Sequence, residues 1–121
     1  MTSYLSRSAM VDGVDEPVPD PDVPDRFSFR QGATMGDGAL VWVIYGDGRE
    51  VLQVQRLPTE VSVFESDRTV TVHGDEATLT RVQGQHVIEW QCEGQTYALY
   101  GTTSAFDVDD LVGVAESIAC R

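Results

Sequence analysis

A change of period between residues 86 and 119 constrains this chain more than any other feature. Apolar residues first alternate one in two through two short runs, then recur every three or four positions. The first run, 86–92, puts Ile88, Trp90 and Cys92 on one face and Val87, Glu89 and Gln91 on the other. Glu93-Gly94 follows as a two-residue loop, with glycine where a type I′ hairpin needs a positive φ. The return run, 95–100, then sets Tyr97 and Leu99 beside Trp90 and Ile88. After a short linker the spacing predicts an amphipathic helix over 107–119. Asp107 is its N-cap, Asp109 and Asp110 lie in the first turn, and Val108, Leu111, Val112, Ala115, Ile118 and Ala119 form its apolar stripe. A helix this short is marginal alone in water, so sheet and helix must cover each other, and Leu111→Asp should unfold the chain.

Upstream the chain reads as more sheet. Phe27 and Phe29 alternate in 26–30, and two Gly-Asp-Gly turns, 36–38 and 46–48, bracket the strand 39–45. Strand 50–56 returns, with Leu52 and Val54 facing one way, and Pro58 ends it. Shorter strands are expected at 61–65, 69–73 and 77–82. The fold class is therefore α+β: a curved antiparallel sheet of about six to eight strands with one C-terminal amphipathic helix packed on it. The glycine-rich turns match neither phosphate-loop pattern and join strands, not a strand to a helix.

Residues 1–25 contrast with the rest. Four of the five prolines fall there among many acids, which predicts an extended, solvated acidic tail or linker before a single sheet-plus-helix domain over 26–121. Asp20, Asp22 and Asp25 lack the loop pattern and bidentate glutamate of a calcium hand. Residues 1–10 contain only Arg7 and no apolar h-region, so they do not read as a signal peptide as they stand; an excised part of a longer protein is compatible with that.

Eight arginines, no lysine and twenty acids give a net charge of −12, which argues against a nucleic-acid or anionic-membrane partner engaged through a basic surface. The longest apolar runs are too short to span a bilayer. Chemistry is sparsely signalled. His73 and His86 sit at strand ends without a motif partner, Ser117 lacks a nucleophile elbow, and no metal-ligand spacing occurs. No catalytic residue, metal ligand or cofactor is assigned. Two readings of Cys92 and Cys120 stand open: a disulfide contributing roughly 3–4 kcal/mol by the chain-entropy argument, or one buried and one exposed thiol. Aromatic residues at Trp42, Tyr45, Trp90, Tyr97 and Tyr100 fill the core beneath the helix or line a concave apolar pocket; Trp42, Trp90 and Tyr97 are the candidate ligand-binding residues of the second reading.

Val72-x-Gly74-x-x-Ala77, Val87-Ile88-x-Trp90, Gly94-x-Thr96-Tyr97-x-Leu99-x-Gly101 and the helix run from Asp110 to Ile118 together resemble a bacterial envelope domain of unknown function. That domain commonly ends anti-sigma-factor-like and lipoprotein-carrier-like proteins. The resemblance covers residues 70–119. It implies a curved sheet with a helix on its concave side, an extracytoplasmic location, and binding or sensing of a protein partner or an apolar, lipid-like ligand; it carries over no catalytic residue. The transmembrane segment, signal sequence and sigma-binding part of that setting are not in this sequence, so a cytoplasmic location stays open. The alternatives are an interaction module with a filled core, associating through an exposed strand such as 50–56, and a small enzyme built from scattered residues.

Overall fold

The computed structural model describes residues 1–14, 17–36, 40–60, 64–66 and 68–119. Three of its turns show how local chemistry builds the second half of the sheet. His73-Gly74, Gln83-Gly84 and Glu93-Gly94 all have positive φ at both positions, 51° and 79° in the last, the geometry of type I′ turns that matches strand twist. They join β5 (Arg68–Val72), β6 (Asp75–Val82), β7 (Gln85–Cys92) and β8 (Gln95–Thr102) into a meander. The first half is a second meander of β1 (Thr2–Tyr4), β2 (Ser28–Met35), β3 (Leu40–Gly46) and β4 (Val51–Leu57).

All pairings are antiparallel, and the halves meet where β4 pairs with β8, giving one open sheet in the order β1-β2-β3-β4-β8-β7-β6-β5. Between β4, at the centre of the sheet, and β5, at its edge, the described residues 58–60 and 64–66 meet the outer face. There the ring of Phe64 meets Tyr100 edge to face, and Thr96 Oγ1 donates to the carbonyl of Thr59 at 2.8 Å.

The opposite face is the core. Val41, Val43, Tyr45, Leu52, Val54, Ile88, Trp90, Tyr97 and Leu99 are all buried there. Register brings the predicted pairs together, with Ile88 opposite Leu99 and Trp90 opposite Tyr97, whose rings stack 5.4 Å apart. Helix α2 (Val108–Ser117) covers part of this face behind a capping box: Asp107 accepts from the Asp110 N–H at 2.7 Å and Asp110 accepts from the Asp107 N–H. Its buried line is Leu111, Val114, Ala115 and Ile118. Val114 joins the stripe three residues after Leu111, whereas the expected Ala119 is exposed because the helix ends at Ser117 and its C-cap Ile118 is already extended. The α+β class, an antiparallel sheet with a C-terminal helix, is as the periodicity predicts.

Three expectations need correction or limit. Residues 1–25 do not form a featureless tail: β1 adds an edge strand and α1 (Arg7–Gly13) follows, N-capped by Ser6, whose Oγ accepts from the Ala9 N–H. Met10 of α1 is fully buried against Gly32, where a Cβ would collide with its sulfur. Pro19 and Pro21 are buried as well. Proline suits such a covering segment because it needs no ladder hydrogen bond and its ring buries readily, a role composition does not distinguish from a solvated tail. Second, strand 50–56 is not an exposed edge; β4 is central and paired on both sides. Third, of the strand expected at 61–65, residues 61–63 lie outside the described residues, and Phe64 and Glu65 belong to no strand. The first Gly-Asp-Gly turn likewise lies outside them at residues 37 and 38.

Candidate functional site

Alternation along β4 carries Leu52 and Val54 to the core face, and the same phase carries Arg56 there. Arg56 is 3% exposed, paired in register with Tyr97 on one side and Val41 on the other. A guanidinium stays charged at any physiological pH, so its burial must be compensated by hydrogen bonds or by an anion. One Arg56 N–H donates to the carbonyl of Pro17. Among the described residues no carboxylate forms an ion pair with it.

Arg7, in the first turn of α1, reaches the same place. It donates to the Pro19 carbonyl at 2.9 Å, the Tyr45 hydroxyl at 3.0 Å and the Val18 carbonyl at 3.4 Å, and lies 3.6 Å from the exposed carboxylate of Asp20. Burial raises the Tyr45 hydroxyl above its ordinary value despite Arg7, so the phenol is neutral and supplies no counter-charge. Ser117, near the C-terminal end of α2, holds the next part of the segment by accepting from the Asp22 N–H at 2.9 Å. Residues 17–22 thus form a strap pinned by two arginines and a serine.

Between strap, sheet and the end of α2 lies a cavity of about 340 Å³, lined by Arg7, Pro17, Val18, Pro19, Asp20, Arg56, Tyr97, Ser117 and Ala119. A shallower groove of about 380 Å³ runs between residues 22–24 and α2, past Phe106 and Val114. Of the three aromatics singled out in the sequence, Tyr97 lines the cavity and Trp90 stacks beneath it. Trp42 is opposite Gln55 on the other face of the sheet, so these three do not form one site. Arg7 and Arg56 were not foreseen. The Leu52, Val54, Arg56 phase was the readable signal for one of them, while Arg7 sits in a segment whose composition suggests no fold.

The remaining candidates lie elsewhere. His73 Nε2 is 2.9 Å from the Ile118 carbonyl, and His86, half-buried on β7, has an Nδ1 without a partner among the described residues. Burial first, then Arg81 and Arg68, pushes the His86 pKa below its ordinary value. Neither histidine lines the cavity or the groove. Among the described residues no cluster of three His, Cys, Asp or Glu is arranged to hold a metal ion. Cys92 is disulfide-bonded and not a free thiol. Cys120, the other half of that expectation, lies outside the described residues.

Fold and site together define an open antiparallel sheet, helix-covered on one face, with a polar-lined cavity beside the helix end. No helix among the described residues is long and apolar enough to cross a membrane. Comparison with protein-family models and with curated proteins finds no match to this chain.

Proposed function

We propose that this chain is a non-enzymatic binding or sensing domain of the cell envelope, engaging a ligand or a segment of a partner protein in the cavity between its sheet and its helix end. The observation that carries the reading is that cavity itself. It lies at the junction of three covering elements, and its wall includes a buried arginine with a single carbonyl acceptor among the described residues. A site of this volume lined by a few polar groups among apolar ones is the usual form of a small-molecule site. The lining favours a ligand with a polar head over a purely lipidic one, since two guanidiniums face a space that a hydrocarbon would leave uncompensated. The resemblance over residues 70–119 supports the envelope location. So does the disulfide at Cys92, because such bonds persist in oxidising compartments.

Native mass spectrometry of gently purified protein tests the reading. An added small-molecule mass that leaves on collisional activation is the expected result. A bare monomer that also takes up no compound from a fragment panel would refute it, and a bare dimer would move the assignment to the interaction module, with edge strands β1 and β5 available for pairing.

A further inference from the structure

We propose that the cavity selects a small organic monocarboxylate, held by Arg56 and Arg7 with its apolar part against Tyr97. The inference rests on the binding reading above and adds the ligand's chemistry to it. Three observations carry it. Arg56 is 97% buried, yet its guanidinium lines the cavity with only the Pro17 carbonyl accepting from it among the described residues. A buried cation in that state is strongly stabilised by an arriving anion, and a planar fork of N–H donors matches the two oxygens of a carboxylate.

Charge count sets the valence. Among the described residues that line the cavity, two guanidiniums and the Asp20 carboxylate leave one net positive charge, which a monoanion neutralises and a dianionic phosphate would overshoot beside Asp20. Shape sets the rest of the molecule. The ring of Tyr97, backed by Trp90, and the side chains of Pro17, Val18 and Pro19 give the cavity apolar walls, and about 340 Å³ is at the small end of ligand sites.

The test is a titration of the full chain, labelled with nitrogen-15, with sodium benzoate, benzamide and sodium phosphate at constant ionic strength and pH 7. The expected result is saturable benzoate shifts at the Tyr97 amide and the Arg56 Nε–H, with benzamide at least tenfold weaker. Arg7→Gln, a change at a half-exposed side chain, should weaken benzoate at least tenfold, as should Arg56→Met if that variant folds. Benzamide binding as well as benzoate would overturn the anion assignment while leaving a binding cavity in place. Tighter binding of phosphate than of benzoate would overturn the monocarboxylate assignment. Absence of any saturable response near Tyr97 would overturn the inference outright, and the native mass measurement then judges the broader reading separately.

Discussion

Replacing Gly101 by alanine asks whether α2 is seated on the sheet as closely as the structure shows. A Cβ on Gly101 would stand 2.7 Å from Leu111 Cδ1 and 3.0 Å from Phe106 Cδ2, where ordinary contacts begin at about 3.4 Å. Leu111 is fully buried and Phe106 is 3% exposed, so neither can swing into solvent; the helix and its leading residue must retreat by several tenths of an ångström. Overpacking of this kind costs about 1–3 kcal/mol. Against that, alanine loses less backbone entropy than glycine, a gain of about 0.4–1 kcal/mol where the conformation permits it. The steric cost wins, and we expect a net destabilisation of about 1–2 kcal/mol. With a urea dependence of about 1–3 kcal/mol per molar, the midpoint should fall by roughly 1 M. Gly113→Ala is the control: it lies in the same helix with nothing within 4 Å of the added Cβ and should stabilise by about 0.5–1 kcal/mol. Equal effects of the two substitutions in urea unfolding, or a Gly101→Ala variant as stable as the parent, would refute the close seating of α2.

Asp107→Ala removes the side-chain acceptor of the capping box while leaving the Asp107 N–H to Asp110, and should cost about 1 kcal/mol in the same assay, with Asp107→Asn keeping most of that stability. His86 titrates below 6.5 in the folded protein, so between its folded and unfolded values only the unfolded chain takes the proton. Stability should therefore decline as pH drops below about 6.5 and level off below the folded value; His86→Gln should flatten that decline, and a proton-NMR titration midpoint at or above 6.5 would contradict the burial argument. Trp90 is 5% exposed on the core face and Trp42 is half-buried on the other. Acrylamide should accordingly quench Trp42 in a Trp90→Phe variant several-fold more strongly than Trp90 in a Trp42→Phe variant.

Much of the local architecture was legible because it is written in short-range rules. The Glu93-Gly94 turn, the shared face of Trp90 and Tyr97, and the cap at Asp107 each depend on residues a few positions apart, and all three stand in the structure. The misreadings concern residues whose roles depend on distant partners. Met10 reads as part of a polar tail until Gly32 is known to lie beneath it. Trp42 reads as a companion of Trp90 until the strand phases are compared across the sheet: Val43 pairs with Val54 and Val54 with Leu99, which leaves Trp42 facing away.

By itself, then, the sequence determined most strands of the second meander, the Glu93-Gly94 type I′ turn, the helix with its Asp107 cap and the α+β class, because dihedral preferences and apolar periodicity act over a turn or a strand length. Only the tertiary structure decided that β4 would pair with β8 across the intervening residues 58–94, that the proline-rich segment would cover the core, and that Arg7 and Arg56 would meet in one cavity. Those outcomes follow from which surfaces find each other once loops close, and a buried arginine shows its consequence only when the groups around it are set in space.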